Sequence, residues 1–210
     1  MQTLWLTLHN LASGAPVAML ILIGFAAISV LALSAAPRLR DRALLRPSRI
    51  AQGRDYHTLI SSGFIHADYA HLLLNALTFW SFGFALERTI GSPRFAALYC
   101  IGLLVSSAGT VLRHRSDPGY ASLGASGAIL AVLFASIVYF PQQSLLILPF
   151  PLPIPAPLFA LCYLIYTIYA GRRGTGNINH AAHLDGAITG VLFVALTEPE
   201  ALRSALNQLF

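Results

Sequence analysis

Ser126, His183, His71 and Asn75 are the residues of this chain whose types and spacing could carry acyl-transfer chemistry. Ser126 stands in the small-residue tetrad Gly124-Ala125-Ser126-Gly127, which follows a polar loop and opens an apolar stretch. A serine at a helix N-terminus is surrounded by backbone N–H groups without intrahelical partners, and flanking glycines let another backbone approach closely. Such N–H groups could hold the negative oxygen of a tetrahedral intermediate. His183 lies in Asn179-His180-Ala181-Ala182-His183-Leu184-Asp185-Gly186, three residues before Gly186 and on its face. A histidine there could take the Ser126 proton and make the oxygen a nucleophile. His180 is on the same face and is the second choice for that role, whereas Asp185, two positions from His183, points to the other side of the helix and is not a third member. His71 and Asn75 are four apart, so they stack on one helical face and could donate together to an oxyanion. His66, just ahead of that helix, is expected to line the site. Taken singly, each feature also has an ordinary explanation: helix packing for the tetrad, interhelical hydrogen bonds for the His–Asn pair, a satisfied buried side chain for His183.

The elements that must hold these residues are membrane spans. Of the 210 residues, 56% are apolar and 10% charged, against roughly 25% charged in an average soluble domain. Such a composition excludes a soluble enzyme, and it excludes disorder, which requires few apolar residues and many charges. All 13 basic residues are arginine, and they cluster between apolar stretches, where anionic lipid headgroups rather than nucleic acid are the natural partners. Cys100 and Cys162 sit inside apolar runs and make neither a disulfide framework nor a metal site. The N-terminal stretch has no basic region before it and is far longer than a signal-peptide core, so it is expected to stay as a span.

A bilayer core of about 30 Å needs roughly 20 helical residues, and the gaps between charges give six spans. They are expected at residues 16–36, 69–86, 95–112, 126–140, 158–170 and 179–197, in an all-α bundle forming one domain over 1–210. The alternating prolines 149, 151, 153, 155 and 157 split the long uncharged run after residue 118 into two spans joined by a Pro-rich connection. The fourth span, Ser126 to Phe140, has 15 residues, about 22 Å of helix, and so falls roughly 8 Å short of crossing. Ser126 is therefore expected below one membrane surface, in a polar cavity that admits water. Gly186-x-x-x-Gly190 offers a close-packing face that would bring the sixth span against another helix, with the fourth as the expected partner.

Together these motifs resemble the rhomboid family of intramembrane serine proteases. The resemblance runs from about Tyr56 to Leu196 and rests on four motifs in the family's order: His66-Ala-Asp-Tyr-Ala-His71-Leu-Leu-Leu-Asn75, Glu87-Arg88 with Gly91-Ser92, Gly124-x-Ser126-Gly127, and Ala182-His183-x-x-Gly186-x-x-x-Gly190. It implies a six-helix membrane bundle with a short fourth helix, a Ser126–His183 dyad, and oxyanion stabilisation by His71 and Asn75. It further implies transmembrane protein substrates and a multi-pass location in a bacterial inner membrane; nothing in the sequence implies a cofactor. Two positions depart from the family pattern. Leu130 stands where many members carry an aromatic four residues after the serine, and His57-Thr58 stand near the place of a Trp-Arg pair common in the first loop of some members.

Two other readings compete. The spacings His66-x-x-x-x-His71 and His180-x-x-His183 suggest a membrane di-iron oxidase, although seven histidines, with His9 and His57 outside the spans and no adjacent pair, are few for two metals. A non-catalytic rhomboid-like binder of membrane clients would be expected to have lost the serine or the histidine, and this chain keeps both. No residue pattern assigns an oligomeric state. Ten of the 13 arginines fall in the odd-numbered loops, so the positive-inside rule puts both termini outside the cytoplasm, opposite to the orientation the resemblance implies. A first loop lying in the interface, with its arginines against phosphates, would reconcile the two, and the family orientation is the one expected.

Overall fold

The computed structural model describes residues 14–147, 150–173 and 178–209; His9 and Pro149 lie outside them. Helix α1 is Pro16–Ser34, followed by three short helices in the Arg-rich segment, α2 (Pro37–Ala43), α3 (Pro47–Ala51) and α4 (Thr58–Ser61), the last running into a 3₁₀ turn at Ser62–Phe64. Then come α5 (Tyr69–Ile90), α6 (Ser92–His114), α7 (Ser126–Tyr139), a hairpin of β1 (Ser144–Ile147) and β2 (Phe150–Pro155), α8 (Ala156–Arg173), α9 (His180–Thr197) and α10 (Pro199–Leu209). Among the described residues, α1, α5, α6 and α9 are long and apolar enough to cross a membrane. Their outer faces are apolar: Leu20, Leu73, Leu77, Ile101, Leu104, Ile188 and Leu192 are all exposed. Exposed leucine and isoleucine on every long helix belong to a multi-pass membrane protein, whose solvent at that depth is hydrocarbon.

The centre of the bundle is α7. Every residue from Gly127 to Val138 is buried, so this helix meets protein on all sides rather than lipid. It is also short, 14 residues, about 21 Å. Helix α9 lies directly on it. A Cβ at Gly186 would overlap the carbonyl oxygen of Gly127, and one at Gly190 would overlap that of Ala131. On the opposite side Gly102 of α6 faces Ala131, where an added Cβ would come within 2.7 Å of the alanine methyl. In hydrocarbon there is no hydrophobic drive to bring helices together, so close backbone approach through small residues supplies the association.

Glu87, 1% exposed, fixes α1 to the turn after α5. Its Oε1 accepts from the Val17 N–H at 3.0 Å and from Ser92 Oγ at 2.6 Å, and its Oε2 from the Ala18 N–H at 2.6 Å. These are first-turn N–H groups of α1 that no carbonyl within the helix can reach, and a carboxylate there also complements the helix dipole. Gly91, at φ 81°, makes the tight turn from α5 to α6 that puts Ser92 within reach.

Two elements differ from the sequence expectation. The Pro-rich connection is an antiparallel hairpin, with Leu145 opposite Ile154 and Leu146 opposite Pro153. Prolines 153 and 155 fall on alternate positions of the regular ladder, so their missing N–H groups face the edge away from β1, while the Ala156 N–H donates to the Gln143 carbonyl at 2.9 Å. Beyond the last expected span, α10 is an amphipathic helix whose Ala201, Leu202 and Ala205 pack on the core.

Gly186→Ala and Gly190→Ala should each destabilise the fold by about 3 kcal/mol, because the methyl meets backbone that cannot move aside. In α1, Gly24→Ala should be tolerated, since its Cβ would lie an ordinary 3.5 Å from the Phe64 ring. Thermal unfolding midpoints of the three variants in detergent check both expectations.

Candidate active site

Ser126 is the first residue of α7, and His183 lies in the first turn of α9. The glycine contact between the helices brings their N-terminal ends together, and His183 Nε2 lies 2.8 Å from Ser126 Oγ. The position of α9 is secured by Asn179, its N-cap. The Asn179 side-chain oxygen accepts from the Ala182 N–H at 3.0 Å, and its Nδ2 donates to Thr110 Oγ1 of α6 at 2.8 Å and to Ser122 Oγ at 3.4 Å. One side chain thus ties the start of the histidine helix to α6 and to the loop that leads into Ser126. Sequence reasoning missed this cap, although asparagine is among the residues preferred at a helix N-cap.

The loop before Ser126 is held from the first-loop side. Leu45 and Ser122 exchange backbone hydrogen bonds of 3.0 and 2.9 Å, and the Gly124 N–H donates to the Ser62 carbonyl at 2.9 Å. Gly124 has φ 115°, a conformation that L side chains rarely adopt. The space a side chain would need is taken by His71: a Cβ would stand 2.8 Å from its Cε1 and 3.1 Å from its Nε2. The His71 ring therefore lies against the tetrad that contains Ser126. Its Nδ1 accepts from the Ala67 N–H at a long 3.5 Å, which leaves the hydrogen on Nε2, the atom turned towards Gly124. Asn75, 7% exposed, spends one of its two amide hydrogens on the His71 carbonyl at 2.9 Å.

His66 does more than line the site. It is fully buried, with Nδ1 2.8 Å from Ser29 Oγ and Nε2 receiving the Ala125 N–H at 3.5 Å. Because a backbone N–H can only donate, Nε2 is the acceptor and Nδ1 carries the hydrogen. Ser29 Oγ accepts that hydrogen and donates its own to the Phe64 carbonyl at 3.0 Å. The chain of bonds is consistent only for a neutral ring. Burial, reinforced by neighbouring His71 and opposed by Asp68, pushes the His66 pKa down to about 3.

The remaining sequence candidates fall around this centre. His180 is buried beside His183, ring centroids 6.2 Å apart, with its Nδ1 lacking a partner among the described residues; it is His183 that reaches the serine. Asp185 faces away from Ser126 and makes a bidentate pair with Arg113 of α6, at 2.5 and 2.7 Å. Gly127 lies against Ser106 of α6, whose Oγ a Cβ would overlap. Leu130, one turn into α7, is buried in a cluster with Phe134, Ala187, Phe159 and Tyr163. Sequence reasoning missed Tyr163 of α8, whose Oη lies 3.0 Å from His183 Nδ1. Thr58, near the place of the absent Trp-Arg pair, is buried with its Oγ1 donating to the Asp55 carbonyl at 2.7 Å, and Asp55 pairs with Arg49. Among the described residues, no three His, Cys, Asp or Glu side chains gather as a metal would require, and the His66–His71 and His180–His183 pairs meet as ring edges.

Residues 53–199 match the Rhomboid domain, and the chain belongs to the rhomboid family. It is 33% identical over 148 residues to Rhomboid protein 1, mitochondrial, of Saccharomyces cerevisiae, covering 67% of this chain and 42% of that protein. It is 31% identical over 151 residues to RHOMBOID-like protein 12, mitochondrial, of Arabidopsis thaliana (65% and 45%). With Presenilin-associated rhomboid-like protein, mitochondrial, of Homo sapiens it shares 35% over 141 residues (65% and 36%). The chain thus spans less than half the length of these relatives.

The neutral His66 makes stability depend on pH with a definite sign. The unfolded chain binds a proton near the ordinary value of 6.5, whereas the folded chain resists it down to about 3. Stability is therefore full above pH 6.5 and falls as pH drops through that window. His66→Gln should be less stable at neutral pH and should lose stability less steeply on acidification, as read from unfolding midpoints from about pH 7.5 down to about pH 4.

Proposed function

We propose that the chain is an intramembrane serine endopeptidase that cleaves transmembrane proteins with a Ser126–His183 dyad. The observation that carries the reading is the 2.8 Å contact between His183 Nε2 and Ser126 Oγ. Membership of a family whose members are in general intramembrane serine proteases supports it. His183 Nε2 accepts the Ser126 proton as Oγ attacks the scissile carbonyl carbon. The oxyanion is held by the Ser126 N–H, which has no partner in the first turn of α7, together with His71 Nε2–H and an amide hydrogen of Asn75. His183 then passes the proton to the leaving amine, and in the second half reaction removes a proton from the water that frees the acyl group.

The bundle is read as six crossing helices in one domain over residues 1–210, with the buried, short α7 and the apolar α8 added to the four long spans. A short α7 keeps Ser126 beneath one surface, where water can enter from that side. A substrate helix has its carbonyls paired, so helix-destabilising residues near the scissile bond favour cleavage. The relatives compared above are mitochondrial by name; a bacterial inner membrane for this chain rests on the resemblance alone.

Purified protein in liposomes should cut a model single-span substrate and react with a fluorophosphonate. Ser126→Ala and His183→Ala should each lower turnover by at least about 10³-fold, and Asn75→Ala by about 10²-fold. Client binding that is indifferent to Ser126→Ala, with neither cleavage nor labelling of the wild type, overturns the reading in favour of a non-catalytic binder.

A further inference from the structure

Tyr163 meets the dyad from a helix that otherwise barely enters the core: of α8, only Ala156 and Thr167 are fully buried. Its Oη lies 3.0 Å from His183 Nδ1, the ring nitrogen turned away from Ser126. The phenol ring is fixed by aromatic neighbours, stacking on Phe159 at 5.7 Å between centroids and tilting against Phe134 at 6.0 Å. We propose that Tyr163 is the positioning residue of the base: its Oη accepts the His183 Nδ1–H and holds the imidazole with the Nε2 lone pair on Ser126. This inference rests on the dyad reading above.

The hydrogens of the imidazole set the direction of this bond. A neutral imidazole carries one hydrogen, and Nε2 must be bare to receive the serine proton. Nδ1 therefore bears the hydrogen in the reactive form, and a partner at Nδ1 selects that tautomer only if it accepts. Tyr163 Oη can accept and keep its own hydrogen, so no formal charge enters the membrane-buried site, where a carboxylate in the same place would be costly. When Nε2 takes the Ser126 proton, the Nδ1–H bond to Oη becomes charge-assisted and strengthens as the Oγ–carbon bond forms. The other groups near His183 are otherwise engaged or turned elsewhere. Asp185 is held by Arg113, and His180 presents a ring edge 6.2 Å away. Leu130, buried one turn after Ser126, offers no polar atom.

The test compares full-length wild type, Ser126→Ala and Tyr163→Phe in liposomes, with cleavage of a single-span substrate, fluorophosphonate labelling rate and unfolding midpoint measured together. Phenylalanine preserves the stacking, so the unfolding midpoint and KM should stay near wild type while kcat and the labelling rate both fall about 10- to 100-fold. Independently, ¹⁵N NMR of His183 in the wild type should show the Nδ1-protonated tautomer at neutral pH. An unchanged kcat in Tyr163→Phe, or a resting His183 protonated on Nε2 alone, overturns the positioning role while leaving the dyad intact. A wild type that neither cleaves nor labels removes the dyad reading, and this inference with it.

Discussion

The approach of α9 to α7 through Gly186 and Gly190 is the constraint on which the other features of the site depend. Their missing side chains let the two backbones touch, with Gly186 over the Gly127 carbonyl and Gly190 over that of Ala131. Because Gly186 is three residues from His183, and Gly127 is next to Ser126, the contact that packs the helices also sets the separation of the two polar side chains. Van der Waals contact between backbones falls off within a fraction of an ångström, so a joint of this kind defines a distance more tightly than interdigitating long side chains would. The full burial of α7 on its other faces removes the remaining freedom to slide.

Around that joint three polar side chains are satisfied in ways that also position the site. Glu87 closes the N-terminus of α1, Asn179 that of α9, and His66 joins α1, the first loop and the backbone before Ser126 in one directed run of hydrogen bonds. An unpaired polar group in a medium without water costs far more than at a surface, so each network resists rearrangement. The bidentate ion pair of Arg113 with Asp185 straps α6 to α9 on the side away from Ser126. Charge is thereby kept off the contact between Ser126 and His183.

The first loop shows the same division between anchoring and exposure. Its short helices bury Ala43, Ile50 and Thr58 against the bundle, while Arg38, Arg40, Arg42 and Arg54 point outward. This arrangement suits a segment lying along headgroups, where guanidinium groups meet phosphates and alkyl stems meet the acyl boundary. Asp55, at φ 56° and paired with Arg49, gives the loop a local fixture.

Period and composition were enough for the long apolar helices and for residue pairs that share one helical face. Apolar lengths between charges gave the long helices to within a few residues, the shortness of α7, and the small-residue face of α9. The spacings His71–Asn75 and His183–Gly186 gave shared faces, because helical geometry is local and repeats every 3.6 residues. Features that depend on which faces meet emerged only from packing. Alternating prolines excluded a helix but did not reveal that the missing N–H groups of Pro153 and Pro155 could face the free edge of a hairpin. The closing amphipathic helix was too short and polar to register as a span. Tyr163 carried no signal at all: a tyrosine in an apolar helix becomes a partner of His183, 20 residues further along the chain, only when α8 is docked beside α9. A hydrogen bond between side chains on separate helices depends on rotations and offsets of whole elements, and those are fixed by packing rather than by residue spacing.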